Sequence, residues 1–100
     1  MDNYSNGKIY KICSHMTNKI YIGSTKQSLT ERFRGHMTDY RRFIRLGWGG
    51  TSASDILKYE DSYINLIEDY PCDSKQELEI RERQILLQNI GIFVNRNISL

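Results

Sequence analysis

Apolar residues along this chain switch between two spacings, and the switches mark the elements. From Gly7 to Cys13 (G-K-I-Y-K-I-C) β-branched and aromatic residues dominate, and they do so again from Lys19 to Ser24 (K-I-Y-I-G-S). Two such runs joined by about five polar residues, 14–18, predict an antiparallel hairpin. Leu29, Phe33, His36, Tyr40 and Ile44 then follow at helical spacing, which predicts a helix over 29–45. Ser28 and Glu31 stand three apart before it, the spacing at which a hydroxyl and a carboxylate cap a helix start. Gly47-Trp-Gly-Gly50 ends the pattern. A short helix is expected over 52–59, a third strand over 62–69, and a last helix over 75–89 with Ser74 and Glu77 as its capping pair. Residues 1–6 read as a flexible tail, and 93–97 as a short extended segment. The predicted order is β-β-α-α-β-α, with no repeat, linker or low-complexity stretch, in one domain spanning 1–100.

Composition narrows the class. One hundred residues, 39% hydrophobic and 26% charged, suffice for one core. No apolar run approaches the roughly 20 residues of a membrane span, and no secretory h-region opens the chain, so an intracellular protein without a membrane role is expected. Cys13 and Cys72 lack C-x-x-C spacing and read as free thiols rather than a zinc or redox site. The net charge of +2 hides an asymmetry. Residues 1–58 carry ten Lys/Arg against four acids, and residues 59–100 carry four against eight. A basic half can face a polyanion; two ordinary solvated surfaces explain the same numbers.

The sharpest anomaly is Glu82. At about 100° per residue, Leu78, Ile85 and Leu86 share one face of the last helix, and Glu82 falls among them. A carboxylate in an apolar stripe costs several kcal/mol unless something compensates. An arginine ion pair and a metal ion are the two common reliefs, and this helix does not choose between them. Ile80 and Leu87 lie opposite, so a helix sandwiched on two sides, with Glu82 at an edge, also fits. Glu77 and Glu79 point away from the stripe and read as solvated. On the first helix Arg32 and His36 share a side, at the margin of the stripe of Leu29, Phe33 and Tyr40. There they suit a phosphate; against a solvated arginine and a satisfied histidine, Arg32 reads as the phosphate contact and His36 as the satisfied, partly buried histidine. Arg34, Arg41, Arg42 and Arg45 are interleaved with Tyr40, Phe43 and Trp48, which suits backbone contacts and stacking, though a solvated helix face is the commoner meaning of such a run. Tyr10 and Tyr21 are candidate cross-strand neighbours; a catalytic role would need a phenol pKa brought down from about 10 by cations. Gly23 leaves space for a backbone or phosphate.

Gly7-Lys-Ile-Tyr10 followed by Tyr21-Ile22-Gly23 resembles the paired motifs of the GIY-YIG endonucleases, with Lys8 inserted in the first. Arg32, His36 one turn on, Glu82 and a late asparagine match the family's further motifs, the last at Asn95 with Asn97 as the competing position. The resemblance spans residues 7–97. It implies an α+β fold, a small three-stranded antiparallel sheet flanked by helices. It implies metal-dependent hydrolysis of DNA, with Glu82 as ligand of a single Mg²⁺ or Mn²⁺. It further implies Arg32 on the phosphate, Tyr10 taking a proton from water, Tyr21 positioning water or phosphate, His36 orienting the network, and Asn95 tying in the final segment. Gly23, Lys26, Arg34, Arg41 and Arg42 are the expected DNA contacts. A monomer or homodimer is expected, with room for a separate DNA-targeting partner. A non-catalytic nucleic-acid-binding module of the same fold is the rival reading, and a structural domain in which Glu82 pairs with an arginine is a third.

Overall fold

The computed structural model describes residues 4–89. Within them the elements are β1 (Lys8–Ser14), β2 (Thr17–Thr25), α1 (Leu29–Leu46), α2 (Ser54–Leu57), β3 (Tyr63–Asp69) and α3 (Lys75–Gln88). The expected order holds. The hairpin connection is tighter than expected, because Ser14 already pairs with Thr17 and only His15 and Met16 turn the chain. α2 is also shorter than its predicted span, a single turn. Asn95, Asn97 and the predicted 93–97 segment lie outside the described residues.

Three antiparallel strands lie in the order β2-β1-β3, so the chain's first strand is central. That placement matches composition: Ile9, Tyr10 and Ile12 of β1 are buried and none of its residues is exposed, while β2 and β3 each carry exposed positions. Side chains of successive residues point to opposite faces, which gives the sheet two cores. On one face Ile9 and Ile22 pack against Leu78, Ile85 and Leu86 of α3. On the other, Tyr10 and Ile12 pack against Ala53, Ile56 and Leu57, with Tyr21, Leu29, Phe33, Met37 and Tyr40 around them. Each fully buried Leu or Ile contributes about 1.5–3 kcal/mol by leaving water.

Both long helices begin at the predicted serines. Ser28 Oγ accepts from the Glu31 amide at 3.2 Å, and Ser74 Oγ accepts from the Glu77 amide at 3.2 Å. Such caps satisfy amides that the helix cannot, and each is worth about 1 kcal/mol. They also fix where each helix starts, and so which residues face the sheet. α1 ends at Gly47, whose left-handed backbone (φ 79) closes on the Phe43 carbonyl at 2.8 Å. The lysine inserted in the first motif has a structural use. Lys8 Nζ donates to the carbonyls of Asn6 at 2.7 Å and Gln27 at 2.9 Å, tying the approach to β1 to the loop that enters α1. Both cysteines are free thiols, as expected.

Candidate active site

Four elements converge at the edge strand β2. β1 supplies Tyr10, β2 supplies Tyr21, α1 supplies Arg32 and His36, and α3 supplies Glu82. The register pairs Tyr10 with Gly23 and Ile12 with Tyr21. The two tyrosines are therefore diagonal rather than directly opposite, a correction to the cross-strand expectation. They still share a face, with ring centroids 6.4 Å apart.

Gly23 also requires a correction. A Cβ there would lie 2.4 Å from Tyr10 Oη and 2.6 Å from Cζ. The space it leaves is filled by the Tyr10 phenol, so Gly23 is buried beneath a site residue and opens no room for a phosphate. Any side chain at this position would push the Tyr10 ring aside.

The Tyr10 hydroxyl is the hub of the cluster. It lies 2.8 Å from His36 Nε2, and Arg32 Nε donates to it at 3.3 Å. His36 is 3% exposed and stands edge-on to both tyrosine rings, at 5.9 Å from Tyr10 and 5.4 Å from Tyr21. Burial, helped by the Arg32 charge, lowers the His36 pKa to about 4. The ring is neutral at pH 7, and in the tautomer with its proton on Nδ1 the Nε2 atom accepts and the Tyr10 O–H donates. The Tyr10 oxygen in turn accepts from Arg32. One directed chain results: guanidinium to phenol to imidazole.

Burial pushes the Tyr10 phenol well above its ordinary value, with a further rise from Tyr21 and only partial opposition from Arg32. Tyr21 is raised by burial and then by the Glu82 charge. A base with a pKa brought down was the expected requirement for a catalytic phenol. The structure reverses it: neither phenol is ionised at neutral pH. His36 Nε2, at 2.8 Å, is within reach of the Tyr10 proton.

Glu82 approaches from the other side of the sheet. Leu78, Ile85 and Leu86 around it are buried, as the wheel requires, and Glu82 itself is half-buried. Ile80 and Leu87 are exposed, so α3 packs on one face among the described residues, and Glu82 sits within its apolar stripe. Ser24 Oγ donates to Glu82 Oε1 at 2.6 Å. Burial raises the carboxyl pKa, and this hydrogen bond pulls it partly back. Among the described residues no arginine pairs with Glu82; the ion pairs are Arg42–Asp39, Lys75–Glu79 and Arg81–Glu68. The structural ion pair between Glu82 and Arg32, one of the sequence alternatives, is absent among them.

Ser24 enters the site with little forewarning. A serine in a strand usually means a solvated position, and only its place two residues from Ile22, on the α3 face, pointed inward.

The donor set suits one kind of metal. Among the described residues no three His, Cys, Asp or Glu side chains form a cage. A single half-buried carboxylate fits Mg²⁺ or Mn²⁺, which keep several waters and are commonly held by one or two carboxylates together with a substrate phosphate.

The expected DNA contacts divide into two groups. Lys26 lines a groove of about 340 Å³ together with Ser24, Gln27, Arg32, Lys75 and Glu79, so it borders the site. Arg34, Arg41 and Arg42 do not join it. At 100° per residue they lie roughly 100–180° around α1 from Arg32 and His36, and all three are exposed.

No family model and no curated protein matches the sequence. Among solved structures, the chain is similar to the catalytic domain of homing endonuclease I-TevI, at a TM-score of 0.67 and 21% identity. The match covers 94% of this chain and 99% of that one. The chain has the fold of that catalytic domain, the three-stranded antiparallel sheet with flanking helices expected above. No helix among the described residues is long and apolar enough to cross a membrane.

Proposed function

We propose that this chain is a DNA endonuclease of the GIY-YIG type, hydrolysing phosphodiester bonds at the site spanning β2. One observation carries the reading. Tyr10, Tyr21, Arg32, His36 and Glu82 come from four elements and as much as 72 positions of sequence, yet they meet at one strand edge in mutual electrostatic contact. Packing alone gives no reason to bury a carboxylate, an imidazole and two phenols together. The fold shared with a homing endonuclease catalytic domain supports the same conclusion.

Glu82 would hold the divalent ion, which when bound supplies positive charge to a non-bridging phosphate oxygen and to the leaving 3′ oxygen. The remaining work belongs to this chain's own groups. Arg32 uses one N–H on Tyr10 and turns the rest of its guanidinium toward the phosphate, stabilising the charge that builds as the bond breaks. Tyr10 takes a proton from the attacking water as its own proton passes to His36 Nε2. The hydroxide formed adds to phosphorus, and the 3′ oxygen leaves. An anionic phosphate beside His36 favours the imidazolium that burial alone disfavours. Tyr21, edge-on to His36, positions water or phosphate. Lys26 contacts the neighbouring backbone from the groove.

Nicking of a supercoiled plasmid with and without Mg²⁺ tests the proposal. Metal-dependent conversion to open circles is expected. DNA binding with no cleavage under any divalent ion would instead identify a non-catalytic nucleic-acid-binding module.

A further inference from the structure

Arg34, Arg41 and Arg45 form an outward stripe on α1 with Thr38, and Arg42 flanks it, paired with Asp39 at 3.3 Å. Arg41, Arg42 and Arg45 line a shallow concavity with Thr38. This surface ends at a distinctive loop. Gly47 and Gly49 both have positive φ (79 and 85), and a Cβ at either would meet nothing within 4 Å. Between them Trp48 is 70% exposed, with Ile44 and Leu46 exposed beside it. Behind the loop, Tyr40 and Phe43, 6.4 Å apart, line a groove of about 420 Å³ with Lys58.

An exposed indole in the loop that follows an arginine-bearing helix face calls for an occupant that is anionic and presents a flat apolar face. Nucleic acid with a base outside its stack has both properties: phosphates for the guanidiniums, a π-face for the ring. A lipid surface fits less well. The inward face of α1, with Leu29, Phe33, Met37 and Tyr40, is already packed inside the domain, which leaves only the last turn for a bilayer.

We propose that the α1–α2 loop is a second nucleic-acid contact, in which Trp48 stacks on an unpaired base while Arg41, Arg42 and Arg45 hold the flanking phosphates. The substrate class that follows is DNA carrying a single-stranded segment, at a junction or an end, in preference to uninterrupted duplex. The inference rests on the nuclease reading of the β2 site. From His36 to Leu46 the helix advances about 15 Å. At about 3.4 Å per nucleotide of stacked strand, the unpaired base lies at least roughly four nucleotides from the cut.

Trp48 is the chain's single tryptophan, so its emission reports the contact directly. The full chain is titrated with a short blunt duplex, with the same duplex bearing a single-stranded extension, and with anionic phospholipid vesicles. Quenched emission and roughly tenfold tighter binding are expected for the extended probe, since one stacked base is commonly worth that much. Trp48→Ala should abolish the preference and Trp48→Phe restore most of it. Equal affinity for both duplexes with unchanged emission overturns the proposal, as does an emission change on vesicles alone. If plasmid is still nicked while either of those results holds, the nuclease reading stands and this one falls. If no DNA is bound or cut, both fall.

Discussion

The two faces of the sheet contribute to the site in different ways. On the α1 face, Tyr10, His36 and Arg32 form a closed chain: each buried polar atom has a partner, and the fold holds the phenol protonated and the imidazole neutral. On the α3 face, Glu82 stands in an apolar stripe with one serine as its partner. A carboxylate can accept several hydrogen bonds or coordinate a cation, so Glu82 keeps acceptor capacity, whereas Tyr10 Oη and His36 Nε2 already satisfy each other. The contrast separates two tasks. On the proposed function, the α1 face relays a proton and presents Arg32 to the phosphate, and the α3 face offers a carboxylate to a cation.

Replacing Glu82 tests that contrast with the largest expected effect. Glu82→Gln keeps the shape and the Ser24 hydrogen bond but removes the charge. Cleavage should fall roughly a thousand-fold or more, the several kcal/mol that a bound metal supplies, with DNA binding retained in an anisotropy titration. Stability should move the other way. Burial raises the Glu82 pKa, so the ionised form costs stability as pH rises through the ordinary carboxyl range. The variant should therefore be at least as stable as wild type at pH 7, and that advantage should shrink in acid, as denaturant melts at the two pH values would record.

Tyr10→Phe attacks the closed face. It removes the relay atom and leaves His36 Nε2 without its donor. Cleavage should drop about 10²–10⁴-fold, the usual worth of general acid–base transfer. Unlike the Glu82 change, it should also cost about 1–3 kcal/mol of stability for the unsatisfied buried acceptor.

A pH series sharpens the comparison further. The folded His36 ring titrates at about 4, against 6.5 in its unperturbed state. Its contribution to stability is complete above the unfolded value and is lost as pH falls toward 4, amounting to about 3 kcal/mol. The difference in unfolding free energy between wild type and His36→Gln should follow that window. A flat difference would mean that the ring is not held neutral by its surroundings.

The smallest effect belongs to the outer face of α1. Replacing Arg34 and Arg41 by Gln should leave cleavage at low salt within a few-fold. It should reduce the salt slope of DNA affinity by about one for each phosphate that is no longer neutralised.

Much of this arrangement was legible in the sequence. Element order, both capping serines and the buried Leu78–Ile85–Leu86 face follow from spacing within single segments. Glu82 stood out because an acid on that face breaks the local pattern. What spacing cannot supply is which faces of different segments meet. Strand register set Gly23 under the Tyr10 ring and made the tyrosines diagonal; neither is encoded in the run of residues around either one. Ser24 became a site residue only because α3 crosses β2 there. The pKa directions were inverted for a similar reason: cations near the phenols were foreseen in kind, but the depth of burial that outweighs them is a property of the assembled core. The position of Arg34 and Arg41 away from the site, by contrast, follows from turning the α1 wheel on from Arg32.

The claim that the two faces serve one reaction is tested most directly with Mn²⁺ as a paramagnetic probe. Titrated into the protein and followed by NMR, it should broaden the signals of Ser24 and the Tyr21 ring first, leave α2 sharp, and lose that pattern in Glu82→Gln. Equal broadening in the variant, or broadening centred instead on exposed acids such as Asp73 and Glu77, would contradict the account.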